Sequence, residues 1–370
     1  MKKLPLFAIL SLGLVQFAIP ASSQIVSLPL DSPKASVSQT IGITNVEVNY
    51  YRPSVNKRKI WGELVPFGYN DLGFGTSKAA PWRAGANEAT TITLEHDVAV
   101  AGQPLKAGRY GLSMAVAENG TVTVIFSRDS AVWGSFFYEQ GADALRVDVK
   151  WEDAPFHEQL AYDFSDVTAK SAVLALSWER KRIPIPLSVD TDAIVVARLK
   201  DQLRNSQGFY YYAWVDASKY LVSHNLDLQL ALQWAEKAIS DPSAGERNFA
   251  TLSNKAIVLE KLGREAEVKT VMAEAMKLGT VGQVHQYGRQ LIAAGKGARA
   301  LEVFKLNAEL HPDVWPVNYG LARGYSAVGD YPAALTALTK AQAQLPAGDT
   351  TNANAIKANI EKLKRGENIN

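Results

Sequence analysis

The sequence predicts a chain of β then α class: an antiparallel β-sandwich or barrel-like domain followed by an α-helical solenoid. Three observations carry this reading. Apolar residues alternate with a period of two from about Ser38 to Ser188, two prolines interrupt the pattern at Pro184 and Pro186, and beyond them the period shifts to about 3.6. With 370 residues, 47% apolar and 21% charged, the chain can bury two substantial cores.

The first segment is a targeting signal. Met1-Lys2-Lys3 is positively charged, Leu4 to Ile19 is apolar apart from Ser11 and Gln16, and Ala21-Ser22-Ser23 offers small residues for cleavage before Gln24. Residues 1–23 are therefore expected to be a signal peptide and the chain to be exported to a periplasm or the cell exterior. Retention as an N-terminal anchor is the alternative. No other stretch is long and apolar enough to span a bilayer, so no membrane span is expected after cleavage. Lys2 and Lys3 are the only charged residues in this segment, so its removal takes the formal charge from +2 to 2 − 2 = 0. That leaves no basic footprint for nucleic acid. The absence of cysteine excludes disulfides, thiolate metal sites and cysteine nucleophiles.

Residues 24–190 read as the β domain. Asn45 to Tyr50 alternates polar and apolar as a half-buried strand does, and the theme recurs at Thr90–Leu94, Arg109–Met114, Val122–Phe126, Leu145–Trp151, Leu160–Phe164 and Ala172–Trp178. Ala107-Gly108 and Glu118-Asn119-Gly120 supply turns between them. Pro184 and Pro186 deny ladder donors, so the last strand is expected at a sheet edge or already leaving the sheet. A boundary is expected near Leu187 to Asp192.

Residues 191–370 read as helical and repetitive. Gly295 and Gly329, Ala300 and Ala334, Phe304 and Leu338, and Pro312 and Pro346 are each separated by 34 positions (329 − 295 = 34). With Leu321, Ala322, Tyr325, Tyr331 and Ala341 in the clearest unit, this period resembles that of tetratricopeptide repeats. Ala231, Trp234 and Ala238, and then Gly263 ahead of Glu265 to Leu278, mark looser earlier units. Asn352 to Lys364 reads as a capping helix. Stacked helix pairs of this kind form a groove, so a partner protein is expected to dock there. The aromatic run Phe209 to Tyr212 with Trp214 is expected in inter-domain packing or in the core of the first helix.

Two segments of the β domain have a composition that core strands avoid and recognition loops favour: Tyr50 to Gly68 and Trp82 to Thr91. Arg52, Arg58 and Arg83 offer fork-shaped donors for a carboxylate, phosphate or sulfate. Trp61 and Trp82 offer flat faces, Asn87 a donor and an acceptor, and Glu88 the only acid of its run. These seven residues are the candidate ligand-binding site, for a small polar or anionic ligand or a surface. The alternative is that Arg83 and Glu88 pair with loop backbone and each other, bracing a long crossover over packed tryptophans.

Tyr50-Tyr51-Arg52-Pro53-Ser54, Lys57-Arg58, Leu64-Val65-Pro66-Phe67-Gly68 and Trp82-Arg83-Ala84-Gly85-Ala86-Asn87-Glu88-Ala89-Thr90 resemble the signature of a bacterial family, domain-of-unknown-function family 2911. Gly102, Leu105, Ala107-Gly108, Tyr110, Leu112 and Trp178 extend the resemblance over about Ser38 to Pro186. It implies an exported β domain with a shared loop site and brings no reaction with it. The sequence departs from the family by inserting Asn70 to Pro81, which lengthens or displaces the loop leading into Trp82.

Catalytic candidates are thin. Glu88 would serve as general acid or base of a hydrolase or lyase if Trp82 walled it off, and His96 with Asp97, or His157 with Glu158, would assist. No G-x-S-x-G elbow occurs, and His157-Glu158-Gln159-Leu160 is followed by Ala161 rather than the second histidine of a zinc motif. The five histidines show no ligand spacing, and phosphate-loop and dinucleotide fingerprints are missing, so neither metal nor cofactor is expected. Recognition groups outnumber catalytic ones, which favours a binding or scaffold protein over the enzyme.

Overall fold

The computed structural model describes residues 29–370, so the expected signal peptide lies outside the described residues. The described chain divides into two compact units, one ending at Thr191 and the other running from Asp192 to Asn370.

The first unit holds β1 (Lys34–Ile41), β2 (Thr44–Tyr51), β3 (Thr91–Leu94), β4 (Val98–Val100), β5 (Gln103–Leu105), β6 (Gly108–Val116), β7 (Thr121–Ser127), β8 (Asp143–Lys150), β9 (Glu152–Ser165) and β10 (Ser171–Ser188). They form two open antiparallel sheets, a six-stranded one in the order β1-β2-β3-β6-β7-β8 and a four-stranded one in the order β5-β4-β10-β9. Neither closes on itself, so the fold is sandwich-like rather than a barrel. Strand β2 shows how alternation becomes structure: Thr44, Val46, Val48 and Tyr50 are buried while the residues between them are half-exposed.

Strand β10 corrects one expectation. It continues through both prolines to Ser188 and lies between β9 and β4 rather than at an edge. The prolines are tolerated because they fall at a hand-over: the ladder to β9 ends at Arg182, and the ladder to β4 begins at Leu187. Neither ladder therefore needs the missing N–H groups, and the Pro186 carbonyl still accepts from Ala101 N at 2.8 Å.

Strand β3 is much shorter than its neighbour β6. It pairs only with Gly108 to Gly111, leaving the same flank of β6 from Leu112 to Val116 without a strand. The chain between β2 and β3 fills it: Gly68 N donates to Val116 O, Trp82 and Met114 exchange two bonds of 2.8 Å, and Leu112 N donates to Thr90 O. Backbone groups buried there need partners, and this crossover supplies them.

The second unit contains α1 (Thr191–Gln202), whose first residue closes the β unit, then α2 (Tyr211–Ser223), α3 (Leu228–Ser240), α4 (Phe249–Lys261), α5 (Glu265–Leu278), α6 (Val281–Ala293), α7 (Gly297–Leu310), α8 (Trp315–Ala327), α9 (Tyr331–Ala343) and α10 (Thr350–Lys364). From α2 onward the helices pack as successive pairs, α2 with α3 through α8 with α9, and α10 caps α9. Each pair is joined through a left-handed residue that ends its first helix: Asn225 (φ 56°), Gly263 (73°), Gly295 (73°) and Gly329 (81°). Asparagine is the side chain that best tolerates this conformation, which is why the first pair keeps the device without glycine. Ala300 and Ala334 are fully buried, as are Phe304 and Leu338 four residues later. These are tetratricopeptide-like repeats.

The aromatic run at the start of this unit is split. Trp214 joins the helical core and donates its indole N–H to Gly208 O at 2.8 Å, whereas Phe209, Tyr210 and Tyr212 are exposed, Phe209 to 65%. Consecutive residues entering a helix point in different directions, so one run cannot all be core.

The Phe304 ring is enclosed by glycines of neighbouring helices. A methyl group at Gly288 would come within 2.4 Å of it, and one at Gly320 within 2.7 Å. Helix propensity alone makes Gly→Ala favourable by about 1 kcal/mol. At Gly288 overpacking of about 1–3 kcal/mol should outweigh it. Thermal melts followed by helical circular dichroism should therefore show Gly288→Ala destabilised, while Gly282→Ala, with open space around it, is neutral or stabilised. Equal behaviour of the two variants would contradict this packing.

Candidate functional site

The crossover between β2 and β3, with Ser135 of the loop between β7 and β8 and Trp178 of β10, lines a half-open cavity of about 350 Å³. Its construction begins with Trp82, fixed on β6 opposite Met114, and with the sharp excursion from there before Thr90 returns to the sheet. Ala84 and Asn87 adopt left-handed backbone at φ 48° and 53°, a strain of about 1–2 kcal/mol for a residue such as alanine. It is held by two hydrogen bonds to the Ala84 carbonyl, from Thr90 Oγ1 at 3.1 Å and from the buried Tyr162 hydroxyl at 2.9 Å. Gly85 lies so close to Thr90 that a methyl group would meet its hydroxyl at 2.6 Å.

The Asn70 to Pro81 loop closes on itself ahead of Trp82. Asn70 and Ala80 exchange backbone hydrogen bonds of 3.0 and 2.9 Å, so the loop leaves and re-enters at one point. Its tip is tied to the β7–β8 loop by Ser77 N donating to Phe136 O at 3.0 Å.

Beneath the crossover the tryptophans form one cluster. Trp61 meets Trp82, Trp151 and Trp178 edge-on at 5.8, 5.4 and 6.2 Å, and Trp82 stacks parallel to Trp178 at 6.0 Å. The indole N–H groups of Trp61 and Trp178 are buried with no acceptor among the described residues.

The three arginines have different roles. Arg52 donates to Leu160 O at 2.9 Å and latches the segment after β2 along β9. Arg58 is exposed and donates to Val55 O and Ser54 O, at 3.1 and 2.5 Å. Arg83 is half-buried, donates from Nη1 to Asn87 O at 2.5 Å and lies over the Phe136 ring at 4.9 Å. It forms no ion pair among the described residues, and burial lowers its pKa from the ordinary arginine value with no carboxylate acting against that shift.

Arg58, Trp82, Arg83 and Asn87 thus line the cavity, whereas Arg52, Trp61 and Glu88 do not. Glu88 is exposed and sits beside the Tyr51 phenol, whose pKa is raised by burial first and by this carboxylate next. His96 contacts Thr44 at 3.1 Å, Asp97 accepts from Lys106 and Ala107, and Glu158 accepts from Asn56 N, all outside the cavity. The lining includes no aspartate, glutamate or histidine.

Two lining residues were not foreseen as part of the site. Trp178, 1% exposed, belongs to β10 and reads in sequence only as a strand residue. Ser135, 4% exposed, has its hydroxyl buried without a partner among the described residues. Its neighbour Gly134 touches the Arg83 guanidinium, since a methyl group there would meet Arg83 Cζ at 2.6 Å. A second void of about 30 Å³, lined by Arg83 and Ser135 together with Asp129 and Glu139, has room for about one water molecule.

Because Arg83 and Glu88 do not meet, their energetic coupling should be below about 0.5 kcal/mol. Chemical denaturation of Arg83→Ala, Glu88→Gln and the double variant measures it. A coupling of about 2 kcal/mol or more would restore the bracing pair.

No curated protein matches the chain. Among solved structures, it is similar to YrrB, a tetratricopeptide-repeat protein described as having an unusual peptide-binding site, at 22% identity over 45% of this chain and 84% of that one, with a TM-score of 0.27. It is also similar to the C-terminal part of a repeat-containing protein from Cytophaga hutchinsonii (14% identity, 47% and 67% coverage, TM-score 0.32) and to a repeat protein of Thermus thermophilus (14%, 47% and 91%, 0.29). The β unit, over residues 32–187, matches the family described as "Protein of unknown function (DUF2911)".

Proposed function

We propose that the chain is an exported binding or scaffold protein, in which the helical repeats dock a partner protein and the β-unit cavity takes a small anionic ligand. The observation that carries the ligand reading is the half-buried Arg83 guanidinium at the cavity wall, which donates to the Asn87 carbonyl but pairs with no acid among the described residues; Ser135 and Trp178, whose buried hydroxyl and indole N–H have no partner among the described residues, belong to the same lining. Each such group costs stability when left unsatisfied. An anion supplies acceptor oxygens and a countercharge together. The repeats support the docking reading through their architecture of stacked helix pairs, which expose a long surface and need no chemistry of their own.

Thermal shift of the full chain with acetate, sulfate and phosphate tests the ligand reading. Occupancy at a hundred times Kd should stabilise the β unit by about 2.7 kcal/mol. Arg83→Gln should lose that response. Ser135→Ala should leave the unliganded protein as stable or more stable by up to about 1 kcal/mol, because it removes a buried hydroxyl that bonds nothing. It should nevertheless weaken the response to the anion. Clear destabilisation of unliganded Ser135→Ala, or a response unchanged in Arg83→Gln, would contradict the reading.

A further inference from the structure

We infer that the ligand is a monoanion with an apolar body, a carboxylate carrying an alkyl or aryl group, which rests on the anion-site reading above and narrows it. Of the two cations in the lining, Arg58 is exposed and its charge is screened by water, whereas Arg83, which donates to Asn87 O, is half-buried and is the charge held partly out of water at the cavity wall. One buried charge compensates one negative charge. A dianion would retain a second, desolvated charge at a high electrostatic cost.

The rest of the wall specifies the body. Pro53, Leu64, Val65, Pro66, Leu72 and Pro81 line the same cavity, and Leu64 and Leu72 remain 43% and 38% exposed. Leucines that reach water at the wall of a cavity gain from any apolar group placed against them. The Asn70 to Pro81 loop places Leu72 there, and its Phe74 packs on Phe136 at 5.4 Å, on the ring that Arg83 overlies. This loop thus adds apolar wall to a cavity whose half-buried cation comes from the segment that follows it. A volume of about 350 Å³ lies near the lower end for small-molecule pockets and suits a short body rather than a long lipid chain.

Isothermal titration of the full chain with acetate, butanoate, hexanoate and octanoate tests this. Affinity should rise about three- to four-fold per methylene and level off once the cavity is filled. 1-Hexanol and hexyl phosphate should each bind at least about ten-fold more weakly than hexanoate, and Arg83→Gln should lose about ten-fold on hexanoate. The double variant Leu64→Ser, Leu72→Ser should flatten the chain-length dependence while acetate affinity stays within about two-fold. Both leucines are exposed, so this variant tests the apolar wall without opening a buried core. Arg83-dependent binding of acetate or sulfate with no chain-length dependence would overturn this inference and leave the anion site standing. Hexyl phosphate binding more tightly than hexanoate would overturn the monoanion assignment. Binding of hexanoate that matches hexanol and survives Arg83→Gln would overturn both readings, as would no binding by any anion.

Discussion

Strand β6 is nine residues long and its neighbour β3 only four, so the buried flank of β6 from Leu112 to Val116 must find other backbone partners. That requirement organises the β unit. It fixes Gly68 and Trp82 two residues apart along β6, although they are fourteen residues apart in sequence (82 − 68 = 14), and it leaves Asn70 to Ala80 between them as a closed loop. Trp82 is then held where its ring stacks on Trp178, and the next residue, Arg83, is carried over Phe136. The short excursion back to Thr90 forces left-handed backbone at Ala84 and Asn87, and buried hydrogen bonds hold it.

The electrostatic character of the cavity is a result of this geometry. Arg83 is taken partly out of water by a crossover whose position the sheet dictates, and the only acid of its run faces Tyr51. A desolvated cation is commonly neutralised by a carboxylate; here the contacts of the guanidinium are the Phe136 ring, the Asn87 carbonyl and Gly134. Stability is served poorly by such a set, and recognition of an anion is served well. The helical unit is built on a different principle, in which left-handed turn residues and buried small residues let helix pairs repeat.

The coarse architecture is legible in the sequence because both signals are local. Alternation in β2 and the 34-residue recurrence of Gly295 with Gly329 each arise from how one element buries its own face. The features that were not legible depend on partners distant in sequence. Pro184 and Pro186 look like strand terminators until the hand-over from β9 to β4 is known. Arg52, Arg58 and Arg83 have the same chemistry in sequence, and only the carbonyls of Leu160, Val55, Ser54 and Asn87 tell them apart. Ser135 and Trp178 enter the cavity from the β7–β8 loop and from β10, and no motif announces a serine hydroxyl or an indole N–H left without an acceptor.

If the buried, unpartnered donors of the cavity lining are held for a ligand's oxygens, the Trp178 indole N–H is the group that reports it most directly. Eight tryptophans give a small set of indole N–H resonances, and Trp178→Phe assigns the one that matters. Titration of the full chain with hexanoate, followed by ¹H–¹⁵N correlation spectra, should move the Trp178 indole resonance saturably downfield while that of Trp234, buried in the helical core, stays in place. The same titration of Arg83→Gln should leave Trp178 unmoved. A Trp178 resonance that does not respond in the native sequence, or that responds equally in Arg83→Gln, would contradict the account.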